Sequence, residues 1–234
     1  MAVRSLYREA ERDQAVAFGA LEYHDVFKIF RSGPTETVAL RGLDLRIEQH
    51  ELVALLGPSG CGKSTALHLA AGLDEPSAGD VVCFGRSLAR LDDSELADYR
   101  AQEIAIVFQS GNLWPALSAR ENVALTLKLA GRSDDDDVLD RFGLGGRERQ
   151  RAGSLSGGEQ QRLAIAAAAA RRARLVLADE PTAELDERNE QIVLEAFRRL
   201  RDEVETTVVI VTHSERVADA VDRVIELRDG AVAG

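Results

Sequence analysis

The chain has 234 residues, 45% hydrophobic and 29% charged, with a formal net charge of −11. That length can bury a full core as one unit with subdomains, and the composition is ordinary for a soluble globular protein. The acidic balance disfavours a broad nucleic-acid surface, no apolar run reaches the roughly 18–20 residues that span a bilayer, and Cys61 and Cys83 alone suit a reducing cytosol better than a disulfide framework.

Residues 3–15 place Val3, Leu6, Tyr7 and Ala10 at helical spacing with Arg and Glu between them. A short amphipathic helix and a frayed charged tail are both open, and the stretch lacks the apolar core of a secretory signal. From about residue 18 to 47 the pattern turns to β, with LEYHDVFKIF and TVALRGLDLRI around the turn Arg31-Ser-Gly-Pro34. His24 and His50 read as surface residues. The run LVALL (52–56) is a buried strand that leads into Gly57-Pro58-Ser59-Gly60-Cys61-Gly62-Lys63-Ser64-Thr65 and then an Ala/Leu-rich helix. This fits G-x-x-x-x-G-K-[ST] in its strand–loop–helix context, a phosphate-binding loop. Gly57, Gly60 and Gly62 let backbone N–H groups turn inward around phosphate oxygens, and the helix N-terminus adds partial positive charge. Lys63 is expected at the β- and γ-phosphates and Ser64 on Mg²⁺. The chain therefore binds a nucleoside triphosphate. His68, inside the following helix, reads as a packed or partly exposed residue and not as a ligand. Cys61, close to Lys63 and a helix N-terminus, is expected to alkylate faster than Cys83.

DVVCFG continues the β pattern, and Asp92-Asp-Ser-Glu95 opens a helix. IAIVF (104–108) is a buried strand ending on Gln109. Ser118-Ala-Arg-Glu121 is a capping box for a helix that runs to about Ala130 and stops at Gly131. The acidic run 134–137 is a solvated loop or helix start, and residues 143–146 are a flexible connection. A helix begins around Ser156 and proceeds through QQRLAIAAAAARRA. Another runs from Asp186 to about Glu203, with Ile192, Val193, Ala196, Phe197 and Leu200 as its apolar stripe. Strands at 175–178, 206–211 and 223–227 complete the chain, with a final turn at Asp229-Gly230. This alternation of strands and helices calls for a parallel sheet. Asp179 and Glu180 emerge together where LVLA ends. Behind a phosphate loop, Asp179 is placed to hold Mg²⁺ through water, and Glu180 to orient and deprotonate an attacking water.

Leu155-Ser156-Gly157-Gly158-Glu159-Gln-Gln-Arg162, with the phosphate loop, Gln109 and His213 after TTVVIVT, resembles the ATP-binding cassette of ABC transporters. The motifs occur in family order over roughly residues 21–230. TVALRGLDL, VFQSGNLWPALSARENVAL and DEPTAELD resemble its lipoprotein-release and macrolide-export branch. The resemblance implies an α/β fold: a phosphate-loop (RecA-like) ATPase core with an antiparallel β subdomain and an inserted helical subdomain. Residues 1–234 would form one nucleotide-binding domain, with 1–18 as an N-terminal extension and about 112–154 as the insertion. ATP and Mg²⁺ would be the cofactors, with residues 57–65 around the phosphates.

The other roles follow from the same resemblance. Phe30 would stack on adenine, with Phe27 and Tyr23 as competing choices. Gln109 would touch Mg²⁺ and the attacking water. Ser156, Gly157 and Gly158 would face the γ-phosphate of ATP held by a second ATPase subunit, in a head-to-tail homodimer. Asp186 lies in the loop that crosses that interface, and His213 would hydrogen-bond the γ-phosphate. A transmembrane permease subunit would hold the protein at the cytoplasmic face of the cell membrane. Trp114 either docks that partner or packs inside the helical subdomain. Two other outputs compete: a cell-division type cassette signalling to a cell-wall hydrolase, and a soluble cassette acting on ribosomes, DNA or iron–sulfur assembly. Departures from the family are Glu159 for a common Gln, Ala167 for Arg, Ala169 for Leu, and a short, glycine-rich stretch at 132–153.

Overall fold

The computed structural model describes residues 18–33, 35–133 and 137–233. The expectation for residues 3–15, and that for the acidic run except Asp137, lie outside the described residues. Strands β1 (Leu21–Ser32) and β2 (Thr35–Ile47) form a long antiparallel hairpin. Strand β3 (Leu52–Leu56) then leads through the phosphate loop into helix α1 (Lys63–Ala70). Next come β4 (Ala78–Cys83), β5 (Arg86–Ser87), α2 (Asp93–Gln102) and β6 (Ile104–Val107). Helices α3 (Ala119–Leu129), α4 (Val138–Arg141) and α5 (Gly157–Ala170) precede β7 (Leu175–Asp179). The chain closes with α6 (Glu187–Val204), β8 (Thr207–Thr212), α7 (Glu215–Ala218), β9 (Arg223–Arg228) and β10 (Ala231–Val232).

Local sequence explains where the longer helices start. Asp92, Ser118 and Ser156 each close a reciprocal capping box, with Glu95, Glu121 and Glu159 as the returning carboxylates. Asp186 caps α6 by accepting from Asn189 N–H at 2.9 Å.

The strands sort into two sheets. An antiparallel sheet has the order β2-β1-β4-β5, and a six-stranded sheet has the order β10-β9-β3-β8-β7-β6. In the second, β9, β3, β8, β7 and β6 run parallel and only β10 is antiparallel. Its inner strands β3, β8 and β7, with β6, are buried along almost their whole length because both faces are covered, whereas β9 alternates buried apolar with exposed residues. Along β3, Leu52 and Ala54 join a core with α3, α5 and α6, while Val53 and Leu55 join another with α1 and the antiparallel sheet. Registers Leu56↔Thr212, Asp179↔Val211 and Val107↔Ala178 end β3, β8, β7 and β6 at one edge. Loops at the carboxyl edge of such a sheet are where ligands bind.

Helix α5 is buried nearly all round, and its alanines, including Ala167 and Ala169, let α3, α4 and α6 approach closely. On α6 the buried stripe is Val193, Ala196, Phe197 and Leu200, joined by Leu194. Ile192 is 39% exposed and does not belong to it. The helical period turns position 192 a hundred degrees or so away from 193, toward the solvent flank. No helix among the described residues is long and apolar enough to cross a membrane.

Phe197→Ala is expected to destabilise the fold by about 3–5 kcal/mol, read as a lower urea midpoint. Ile192→Ala, five residues earlier on the same helix, should shift stability by no more than about 0.5 kcal/mol.

Candidate functional site

The phosphate loop has an exposed rim, Pro58, Ser59 and Gly60, and a buried floor, Cys61, Gly62 and Lys63. Gly62 has φ 106°, and a β-carbon there would stand 2.5 Å from the Ala39 carbonyl oxygen on β2. Gly57 is needed for a different reason. Its φ is not positive, but a β-carbon would lie 2.3 Å from the Leu227 carbonyl oxygen on β9. The expectation that Gly57 serves the turn itself is thus corrected: it serves close packing. Lys63 Nζ donates to the carbonyls of Gly57 (2.7 Å) and Pro58 (3.1 Å), which holds the ammonium inside the loop.

Ser64 Oγ, in the first turn of α1, donates to Asp179 Oδ1 at 3.1 Å. Burial raises the Asp179 pKa above the ordinary carboxylate value, against the pull of the Ser64 hydroxyl, His68 and Lys63. Glu180, one residue on, has φ 46°. Such a backbone is sparsely populated and persists when neighbours over-determine it. Here Glu180 N–H donates to Val211 O (2.9 Å), Thr212 Oγ1 donates to Glu180 Oε2 (3.1 Å), and His213 Nδ1 lies 2.9 Å from Glu180 Oε1. A phosphate cradle with a hydroxyl–carboxylate pair, and next to it a carboxylate–imidazole pair, is equipped to bind a polyphosphate and activate water.

Residues 40–183 match the family model described as ABC transporter. The chain belongs to the ABC transporter family. It is similar to the lipoprotein-releasing system ATP-binding protein LolD of Anaeromyxobacter dehalogenans, 43% identical over 94% of this chain and 95% of that protein. It is also similar to the macrolide export ATP-binding/permease protein MacB of Rhodopirellula baltica, 43% identical over 91% of this chain but only 32% of that protein. The chain thus spans about a third of that longer relative. Among solved structures, the dimeric post-hydrolysis ATP-binding cassette MJ0796 bound to ADP and Pi superposes with a TM-score of 0.82 at 36% identity. That alignment covers 92% of this chain and 97% of the other. The protein is an ATP-binding, ATP-hydrolysing cassette of the ABC transporter family.

The remaining motifs of the cassette lie around this centre. Phe30 is 43% exposed on β1, with Lys28 Nζ 5.0 Å from its ring centre, whereas Tyr23 is buried and donates to Ala66 O at 2.9 Å. Phe30 pairs with Thr37, next to Val38, and Val38 borders a hollow with Arg41, Gly60 and Asp229. Gln109 Nε2 donates to Glu184 Oε1 at 3.1 Å, so its amide is turned toward the segment after β7. Ser156 caps α5, and Gly158 packs so closely on Asn189 that a β-carbon would fall 2.8 Å from its Oδ1. Asn189 Nδ2 in turn donates to Asp186, which links α5 and Asp186 within one chain. The amide N–H of Ser156 holds the Glu159 carboxyl below its ordinary pKa, so the returning acid of the cap stays charged. Trp114 is 65% exposed, which overturns the alternative that it packs inside the helical region.

Sequence reasoning gave Gln161 and Glu190 no role and read Gly230 only as a turn residue, yet all three hold these parts together. Gln161 Nε2 donates to the carbonyls of Phe108 (3.0 Å) and Gln109 (2.6 Å), pinning the Gln109 loop to α5. Gly230 N–H donates to Cys61 O (3.0 Å) and its carbonyl accepts from Arg41 N–H (2.9 Å). Glu190 is a buried carboxylate at the start of α6. The position of Gln161 inside the Leu155–Arg162 run and that of Gly230 in the final turn offered sequence signals; Glu190 offered none.

Both cysteines are buried, Cys61 at 5% exposure and Cys83 at 0%. Burial pushes the Cys83 thiol up to about 12. In the folded protein near neutral pH, maleimide should label Cys61 slowly and Cys83 not at all, with Mg-ATP blocking Cys61. Mass mapping that finds Cys83 modified, or Cys61 unprotected by ATP, contradicts this placement.

Proposed function

We propose that this cassette closes head to tail with a second copy around two ATP molecules. Hydrolysis then drives a transmembrane permease subunit that exports a substrate or extracts it from the membrane. One nucleotide-binding domain spans 1–234, with 112–154 as the helical insertion and 1–18 as the N-terminal extension. The protein sits at the cytoplasmic face of the cell membrane and touches it only through the permease, for which exposed Trp114 is the docking aromatic. Nucleic acid is not a partner.

The observation that carries this reading is the Glu180–His213 contact, 2.9 Å long, at the sheet edge that also bears the Ser64–Asp179 pair. Adenine stacks on Phe30, and the phosphates take the backbone N–H groups of residues 57–65 with the Lys63 ammonium. Glu180 accepts a proton from the attacking water, and His213 hydrogen-bonds the γ-phosphate. Ser156, Gly157 and Gly158 offer the N-terminus of α5 to the γ-phosphate on the other copy, and Asp186 crosses the interface. The Ser64 hydroxyl and the Asp179 carboxylate, 3.1 Å apart, offer oxygens that suit Mg²⁺, and the Gln109 amide oxygen would complete the set. When bound, Mg²⁺ supplies positive charge to the β- and γ-phosphate oxygens. Gln109 joins that set by exchanging Glu184 for the nucleotide.

Glu180→Gln keeps shape and removes the base. Turnover is expected to fall roughly 10²–10⁴-fold, with ATP affinity retained and an ATP-bound dimer accumulating. Wild-type turnover in this variant would remove Glu180 from its role.

The composite site is tested by mixing. Lys63→Ala and Gly158→Asp, each also carrying Glu180→Gln, should separately trap no ATP. In mixed dimers one interface collects both lesions and the other is intact, so occlusion should return at up to one site per mixed dimer. Mixed dimers that form and trap nothing would refute a γ-phosphate contact across the interface.

A further inference from the structure

Glu190 lies in the first turns of α6, where an acidic side chain ordinarily faces solvent and complements the helix dipole. Here it is 5% exposed. A carboxylate taken out of water needs partners, and these come from separate segments. Thr182 Oγ1 donates to Glu190 Oε1 at 3.2 Å, and Thr182 stands two residues after Glu180. Ser214 Oγ donates to the same oxygen at 3.3 Å, and Ser214 follows His213 directly. Arg216 Nε lies 3.4 Å from Glu190 Oε2. The amide N–H of Glu190 donates to Asp186 O at 2.8 Å. Ser214 N–H further donates to Thr212 Oγ1 (3.0 Å), whose own hydroxyl donates to Glu180 Oε2 (3.1 Å). One carboxylate thus holds the loop after β7, the loop after β8 and the start of α6.

We propose that Glu190 is a positioning residue for ATP hydrolysis: it holds Ser214 and Thr182 together, so that His213 and the segment leading to Asp186 move as one. The inference rests on the reading of His213 as the γ-phosphate contact. It adds that arrival of the γ-phosphate at His213 is passed through Ser214 and Glu190 to the Thr182–Asp186 segment. The phosphate loop plays no part in this path, so ATP binding is left alone. Thr182 and Glu190 are both buried, so a shift of Ser214 cannot be absorbed by solvent and displaces the neighbouring loop.

The test measures kcat and KM for ATP on the full chain, together with Tm. Glu190→Ala is expected to lower kcat about tenfold and leave KM within about twofold, the pattern of an interaction realised in the transition state. Glu190→Gln, whose amide oxygen still accepts from Thr182 and Ser214, should recover to within about threefold of wild type. In a His213→Ala background the loss on Glu190→Ala should vanish, because residues acting as a unit are not additive. Should Glu190→Ala not fold, Ser214→Ala removes one hydroxyl of the same contact, and its roughly threefold loss should likewise vanish beside His213→Ala. A variant that lowers Tm but keeps kcat overturns the inference, as do additive losses with His213→Ala or failure of Glu190→Gln to rescue. His213→Ala at wild-type turnover is a different failure: it overturns the reading of the site, and this inference with it.

Discussion

Around the phosphate loop, backbone packs on backbone with no side chain between. A β-carbon on Gly62 would approach the Ala39 carbonyl to 2.5 Å, one on Gly57 the Leu227 carbonyl to 2.3 Å, and one on Gly230 the Ala39 carbonyl to 2.7 Å. These contacts join β2, the loop after β3 and the turn between β9 and β10. The antiparallel sheet is thereby locked to the parallel sheet at the point that receives phosphate. Interiors packed at this density transmit displacement and do not absorb it. The hollow beside Val38, Arg41, Gly60 and Asp229 exists because those backbones meet there.

Charge in this acidic protein is managed by pairing at the same edge. Asp179 takes the Ser64 hydroxyl, Glu180 takes Thr212 and His213, and Glu190 takes Thr182, Ser214 and Arg216. The partners come from the segments after β3 and β7 and from the end of β8 onward, so the carboxylates also set the spacing of those loops. Glu180 pays for its position with a left-handed backbone, tolerable because β8 grips it from two sides. The helices behave differently. Gln161 on α5 holds the Gln109 loop through two carbonyls, and Gly158 brings α5 against the cap of α6. The N-terminal end of α5 and the cap of α6 are therefore tied to the Gln109 loop.

Much of the fold was legible because the signals are local. A capping box is written within four residues: the one at Ser118 closed as expected, and the helix start at Asp92 closed a second. A strand buried on both faces carries an unbroken apolar run, as in LVALL and the Val208–Val211 stretch of TVVIVT. A phosphate loop needs one strand, one turn and one helix start, all contiguous in the chain. Membership of the ABC transporter family followed from four such motifs in order.

The sequence by itself determined what short segments determine: strand and helix type, the phosphate loop, and the carboxylates emerging after β7. Tertiary structure decided every question that turned on which segments meet. Tyr23 and Phe30 are both aromatics on β1, yet one is buried under α1 and the other open, because only the first part of β1 is covered while its far end stands in the open, and irregularities in its pairing with β2 break any simple alternation between them. Ile192 looked like part of a stripe whose edge is set by where α6 rests on the sheet. Gly57 reads as a turn glycine, but its need arises from β9, 170 or so positions away in sequence. Gln109 faces Glu184, and Glu190 is buried between two loops, because hydrogen-bond partners are chosen by three-dimensional neighbourhood. Periodicity and motif spacing carry no record of that neighbourhood.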